Sequence, residues 1–275
     1  MRSPLSTLFL FASATLVALV ALPAPLLVAQ VADPKAFVNQ AVQSELASNR
    51  ADHTAFVYKD RDVTPDHDTL FQVIETPKGS LKRKLEDHGK PLTLEQRQAD
   101  DAAVAALLGN SQQQAKNQRD SSHDDAQAEA MLKLLPVAFL WTVASEQGEL
   151  VTLNFKPDPK FDPNGMEARV LSAMAGQITV SKPQMRIRSI KGTLVNDVTL
   201  GFGVLARMHK GGSFQVERRE VVPRHWQVTE SKVHILGHAL FFKTVGSEED
   251  EFRSEFHVSN AQNLKQATEM MTTLK

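Results

Sequence analysis

The sequence predicts a mainly β (α+β) protein of about eleven antiparallel strands, with helices at both ends and in the middle of the chain. From residue 137 onward, most segments are short and alternate apolar with polar residues. Met185 and Ile187, for example, alternate with Arg186 and Arg188. Such alternation is typical of an antiparallel sheet with one face in water. The intervals between segments are short, which favours pairing of consecutive strands.

The first elements predicted are a helix and a β-hairpin. Asp33 and Pro34 are suited to start a helix, in which the following apolar residues recur at helical spacing. These residues are Phe37, Val38, Ala41, Val42 and Leu46. A strand is predicted over residues 54–62, and a hairpin over residues 70–76 and 80–87, because Pro77-Lys78-Gly79 supplies a turn between two strand patterns.

A helical, glutamine-rich insertion is predicted over residues 93–136. Thr93 and Gln96 have the spacing of a capping box. Residues 110–127 are polar and lack an apolar period, so this stretch is interpreted as a mobile loop or a solvated helix face. Met131 then begins another helical stripe, which Pro136 is expected to end.

The second half is predicted to be mostly strand. The predicted strands cover residues 139–145, 149–156, 176–180, 185–195, 199–205, 213–222, 226–236, 239–245 and 251–258. In the last of these, Phe252, Phe256 and Val258 are predicted to share a face, opposite Arg253 and Glu255. A short helix is predicted over residues 166–174 and a final helix from about residue 263.

The N-terminus has the parts of a secretory signal. Arg2 precedes the uncharged apolar run at residues 8–22, and Pro23 and small residues follow it. We expect residues 1–30 to be a signal peptide, cleaved between Ala29 and Ala32, and residues 31–275 to form a single β-rich domain in the periplasm or outside the cell. The alternative is an uncleaved anchor in the inner membrane, since residues 8–29 could span a bilayer.

The composition excludes several kinds of function. The 275 residues contain no cysteine, which rules out disulfides, thiolate chemistry and acylation on cysteine. The formal net charge is −1, and this gives no reason to expect nucleic acid as a partner.

Three motifs are similar to cofactor or metal sites, but none has the required context. The glycine pattern at residues 201–206 resembles a dinucleotide fingerprint, but Gly211 and Gly212 would end the helix that must follow. His234 and His238 lack a third ligand. The acidic stretch at residues 158–167 fails the EF-hand register. We therefore expect a non-catalytic protein without a cofactor or metal.

Basic and aromatic residues each leave two interpretations open. Lys82-Arg83-Lys84, Arg218-Arg219, Arg186 and Arg188 are either ordinary charges on a polar face or contacts for anionic lipid head groups at a membrane surface. The aromatic residues of the last third either fill a core or line a cleft. They are Phe202, Phe214, Trp226, Phe241, Phe242, Phe252 and Phe256.

A family resemblance bears on this choice. The phrases at residues 174–180, 203–208, 212–214, 225–226 and 240–242 make residues 171–256 resemble bacterial secreted proteins near the outer-membrane lipoprotein carrier and the periplasmic sigma-regulator sensor of the same fold. The resemblance implies a strongly curved sheet or half-open β-barrel with helices covering its mouth. It also implies a cavity for acyl chains or a surface that senses lipoproteins.

If these properties carry over, strand-face alternation gives the cavity lining. The predicted lining residues are Met185, Ile187, Leu194, Phe214, Val216 and Trp226. The expected function is binding of an apolar ligand, a lipid or a lipoprotein. The alternatives are a structural or sensory module with a packed core, or a hydrolase or metal enzyme whose site is assembled from distant residues.

Overall fold

A computed structural model of the protein describes residues 31–200, 206–239 and 243–273. The predicted signal peptide, most of the glycine pattern, and Phe202, Phe241 and Phe242 lie outside these residues.

Five helices and thirteen strands are present in the described residues. The helices are α1 (Pro34–Ala51), α2 (Leu94–Gly109), α3 (Ser111–Ala138), α4 (Met166–Leu171) and α5 (Leu264–Thr273). The strands are β1 (Phe56–Val63), β2 (Asp68–Thr76), β3 (Gly79–Asp87), β4 (Lys90–Pro91), β5 (Phe139–Gln147), β6 (Leu150–Pro157), β7 (Met174–Ser181), β8 (Arg186–Leu194), β9 (Val198–Leu200), β10 (Ala206–Met208), β11 (Ser213–Val222), β12 (His225–Ala239) and β13 (Lys243–Val258).

All thirteen strands belong to one antiparallel sheet. Eleven follow the order β4-β3-β2-β1-β13-β12-β11-β8-β7-β6-β5, and the short strands β10 and β9 extend from β12. The strands at the two ends of this path, β4 and β5, are not hydrogen-bonded to each other, so the sheet is half-open. This confirms the predicted fold class.

Helix α1 lies on the half of the sheet formed by β5 to β8. Its start is fixed by Asp33, whose side chain accepts a hydrogen bond from the amide of Ala36 at 3.0 Å. Its apolar stripe packs into the main core, as the helical spacing predicts. The largest partners on the strands are Phe139, Leu153, Ile178, Ile187 and Leu194.

Helices α2 and α5 cover the other half of the sheet. They pack against Val57, Ile74 and Leu81 in a second, smaller core. These side chains alternate along their strands with Tyr58 and Val73, which belong to a third cluster on the opposite face. Both faces of the sheet are therefore apolar at the start of β1 and in the second half of β2.

The polar stretch of the insertion is a solvated helix face, the second of its two interpretations. Asn110 caps helix α3 by accepting a hydrogen bond from the amide of Gln113 at 2.9 Å. The helix runs on to Ala138, two residues beyond the predicted stop at Pro136. Proline is tolerated there because the helix ends almost at once and little hydrogen bonding is lost.

The predicted bounds of two of the last strands are wrong. Residues 226–236 and 239–245 were expected as separate strands, but β12 continues to Ala239 and β13 begins at Lys243. The predicted strand at residues 199–205 is confirmed for its described residues, which belong to the short strand β9.

The prediction of which side chains of β13 share a face is also wrong. Glu255 has a φ of +56°, and the register with β1 shifts beside it. This bulge reverses the alternation, because one extra residue moves all later side chains to the other face. Phe256 therefore stacks on Tyr58, with ring centroids 5.1 Å apart, on the face that also carries Arg253.

Candidate functional site

A cleft of about 970 Å³ lies between the helices α1 and α3 and the strands β8, β11 and β12. Its apolar walls are Met131, Leu132, Leu135, Leu171, Ile187, Ile190, Phe214, Val216, Trp226 and Val228. Charged and polar groups from the end of α1, from α3 and from β2 lie around them, including Arg50, Asp52, His53, Glu75, Asp125 and Glu129. The cleft is thus lined by both apolar side chains and charged or polar groups.

The structure brings four of the six predicted lining residues together. Phe214, Val216 and Trp226 line the cleft as half-buried side chains, and Ile187 borders it from the main core, where it is 1% exposed. Leu194 instead lies in the main core, where it is 1% exposed. Met185 is half-buried against the same core and stands in a turn with a φ of +49°, just before β8 begins. Neither Leu194 nor Met185 is among the residues that line this cleft.

The absence of a side chain at Gly192 makes room for the ring of Phe214. Gly192 of β8 pairs with Phe214 of β11. A Cβ on this glycine would lie 2.6 Å from the Phe214 ring and 3.3 Å from the Phe155 ring. Because glycine has no side chain, the aromatic ring can lie over the strand and extend the apolar wall.

One end of the cleft holds a buried cluster of charges. Glu45 of α1 is fully buried, and its Oε1 accepts hydrogen bonds from Arg186 Nε at 3.1 Å and from the amide of Ile187 at 2.6 Å. Its Oε2 accepts from Arg186 Nη2 at 3.0 Å and forms an ion pair with Arg218 Nη1 at 2.5 Å. One carboxylate therefore joins α1 to β8 and β11.

The electrostatics of this cluster keep Glu45 ionised. Burial by itself raises the pKa of the Glu45 carboxyl, but Arg218 and Arg186 outweigh burial and hold the pKa below its ordinary value of 4.5. Buried charges of this kind are retained only when they are paired and hydrogen-bonded.

The cluster also explains why one prediction about the arginines is wrong. Arg186 and Arg188 were expected to share a polar face, yet Arg186 is buried and Arg188 is exposed. The register of β8 against β7 shifts here, because Thr179 pairs with Ser189 while Val180 pairs with Ile187. The bulge leaves Arg188 as the extra residue and breaks the alternation.

Glu45 itself was missed by the sequence analysis. The signal was present, since Glu45 follows Ala41 and Val42 by four and three residues and so shares the buried face of the helix. A carboxylate within an apolar stripe indicates a buried partner of opposite charge.

Trp226 connects the charge cluster to the apolar wall. The guanidinium carbon of Arg186 lies 5.9 Å from the centre of its ring, within range of a cation–π interaction. The indole Nε1 donates a hydrogen bond to Gln184 Oε1 at 2.5 Å. The ring is therefore held in place and presents its remaining surface to the cleft.

Several of the surrounding acidic groups have hydrogen-bond or ion-pair partners of their own. Asp52 Oδ2 lies 2.8 Å from His225 Nδ1, and Glu129 lies 2.8 Å from Arg50. Burial raises the pKa of the Glu75 carboxyl, although the amide of Phe56 donates a hydrogen bond to it at 2.9 Å and partly opposes the shift.

The other candidate motifs have local partners. His234 lies 2.8 Å from Asp250, and Asp158 accepts a hydrogen bond from the amide of Lys160. Lys82 forms an ion pair with the buried Asp60 at 2.8 Å. Within the described residues, no group of three or more His, Asp or Glu side chains is placed to hold a metal ion.

Comparisons with known proteins returned no match: no family model, no curated protein and no solved structure is significantly similar to the chain. Among the described helices, none is both long enough and apolar enough to cross a membrane.

Proposed function

We propose that the protein is an exported binding or carrier protein that holds the apolar chain of a lipid, or of a lipidated partner, in the cleft between α1, α3 and the sheet. The observation that carries this proposal is the size and lining of the cleft. Its volume of about 970 Å³ lies at the upper end of the range of about 300–1,000 Å³ that small-molecule sites occupy.

The energetics of such a ligand support the same function. Each methylene group moved from water into an apolar site contributes about 0.8 kcal/mol. Ile190, Phe214 and Val216 offer a continuous apolar surface from β8 to β11, and Leu132 of α3 faces the same space. A chain of about a dozen methylenes could then bind through apolar contacts alone.

The test is native mass spectrometry of the protein purified from its own cell envelope, followed by organic extraction. We expect an acyl species bound in near-stoichiometric amount. A protein that carries no lipid, and takes none from liposomes, would contradict the proposal and favour the alternative, a module that acts through its surface.

A matched pair of variants locates the ligand. Val216 is half-buried and lines the cleft, and Val216→Asp places a charge on its apolar wall. We expect this variant to lose the bound acyl species, because a buried unpaired carboxylate is incompatible with an apolar ligand. Leu94→Asp is the control, since Leu94 lies on α2 away from the cleft and is 67% exposed. Equal loss of lipid from both variants would contradict binding in this cleft.

A further inference from the structure

We propose that the cleft selects an anionic single-chain amphiphile, whose carboxylate lies against Arg218 and Arg186 while its chain runs along Phe214 and Val216. This inference rests on the proposed function and adds the chemistry of the head group.

The charge at this end of the cleft is unbalanced. Arg186 and Arg218 carry two positive charges, and Glu45 carries one negative charge, which leaves one formal positive charge. Among the described residues, no second carboxylate lies within ion-pair distance of either guanidinium. A bound monoanion would complete the neutralisation in a partly buried site, where charge-assisted hydrogen bonds are strong.

Donors remain available for that anion. Each guanidinium has five N–H groups. Glu45 occupies Arg186 Nε and Nη2 and Arg218 Nη1, and Arg218 Nη2 makes only a long contact of 3.4 Å with the carbonyl of Trp226. The side chain of Arg218 is 17% exposed, and both Arg186 and Arg218 line the cleft. A ligand can therefore reach them.

None of the other carboxylates that line the cleft is among the described ion-pair partners of Arg186 or Arg218. Asp52 lies 2.8 Å from His225, and Glu129 lies between Arg50 and Lys133. Glu75 is held by the amide of Phe56.

Two acidic groups complete the inventory. Glu220 acts on Arg186 from the exposed end of β11, and Asp125 stands on the exposed surface of α3. Solvent screens both more strongly than it screens the buried cluster.

The same arrangement fixes the orientation of the ligand. The guanidinium of Arg186 lies within cation–π range of Trp226, so the head of the ligand and the indole ring lie at the same end of the cleft. The chain then extends toward Phe214 and Ile190, away from this ring.

The preference for an anionic head group is tested by measuring the affinities for dodecanoate and 1-dodecanol. The two compounds have the same chain length and differ in the charge of the head group. We expect the protein to bind dodecanoate about tenfold more tightly, the difference that a hydrogen-bonded charge pair makes. In Arg218→Gln the preference is expected to shrink to about twofold or less, with the affinity for dodecanol kept. Arg219→Gln, a change at the exposed neighbour on the same strand, is the control and keeps the full preference.

The two failures are distinguishable. Equal affinity of the unchanged protein for both compounds would overturn the head-group inference and leave the apolar cleft intact. Binding of neither compound would overturn the proposed function itself.

Ligand orientation is measured on the unchanged protein and does not depend on whether the arginine variant folds. Bromine quenches tryptophan fluorescence at short range, and of the two tryptophans only Trp226 lines the cleft, since Trp141 is buried in the core. We expect 2-bromododecanoate to quench more strongly than 12-bromododecanoate, and Trp226→Phe to abolish the difference. Stronger quenching by the 12-bromo compound would overturn the orientation.

Discussion

At the scale of single residues, Glu45 has both a structural and an electrostatic role. It ties helix α1 to two strands that are distant in sequence, since its partners Arg186 and Arg218 come from β8 and β11. It also holds both guanidiniums at one end of the cleft. The stability of the helix–sheet contact and the charge of the candidate site therefore depend on one carboxylate.

Replacing Glu45 by glutamine removes that charge with little change of shape. We expect Glu45→Gln to lower the free energy of unfolding at neutral pH by about 3 kcal/mol, because two partly buried guanidiniums lose their counter-charge. The pKa of Glu45 is lower in the folded protein than its ordinary value of 4.5. The stabilisation is therefore complete above that value and is lost as the pH falls through the folded pKa.

Urea denaturation of both proteins between about pH 3 and pH 7 measures this difference. The gap in stability should close toward the acid end. Glu129→Gln is the control, since Glu129 forms ion pairs on the surface of α3, where solvent screens them. A gap for Glu45→Gln that stays constant with pH would contradict the assignment.

The residue scale also shows what strand alternation can predict about the site. Ile187, Phe214, Val216 and Trp226 were placed in one lining from alternation and aromatic content, and they do meet in the cleft. The charge cluster was not predicted, because Glu45 and Arg218 lie far apart in the sequence and only the strand order brings them together. The order of the strands in the sheet cannot be inferred from the periodicity of any one segment.

At the scale of the elements, the irregularities of the strands decide which side chains enter the cleft. Type and extent of most helices and strands follow from periodicity, as β11 shows, with both ends as predicted. Bulges do not follow from it. Those beside Arg188 and Glu255 each reversed a predicted face, because one extra residue changes the phase of the alternation.

The pair of glycines on β7 and β8 is a further irregularity with a measurable consequence. Gly176 lies opposite Gly192, and a Cβ on Gly176 would overlap the backbone carbonyl of Lys191. We expect Gly176→Ala to lower the free energy of unfolding by about 3 kcal/mol, since a strand backbone in the middle of a sheet cannot move away cheaply.

Thermal unfolding of this variant tests the close approach. Gly109→Ala is the matched control, because a Cβ at the end of α2 meets no atom within 4 Å. Its stability should change by about 0.5 kcal/mol or less. Equal and small effects of both substitutions would show that β7 and β8 are farther apart than this pairing requires.

At the scale of the whole described domain, the two helices over the cleft are held very differently. Helix α1 buries Val38, Ala41, Val42, Glu45 and Leu46. Helix α3 is 28 residues long but buries only Leu135, Pro136 and Ala138, all at its C-terminal end. Leu132 and Leu134, near the same end, are half-buried against the main core, and the ion pair of Glu129 with Arg50 lies at the surface. Helix α1 is thus held to the sheet by many buried contacts, whereas α3, which covers the cleft, is attached more weakly.

This difference predicts how amide hydrogen exchange is distributed. Local opening is cheapest where few apolar contacts must be broken. Amides over residues 111–130 of α3 should therefore exchange at least about tenfold faster than those in the middle of α1. Similar protection of the two helices would mean that α3 is fixed by contacts other than its buried end.

Adding dodecanoate should change this pattern in one place. Ser122, Asp125, Leu132 and Leu135 of α3 line the cleft, so a ligand that fills it gains contacts with this part of the helix. We expect slower exchange over residues 122–135 when the compound is bound and unchanged exchange in α2, which lies on the other half of the sheet. Slower exchange in α2, with none in α3, would place the bound chain outside the cleft and would contradict the role of α3 as its cover.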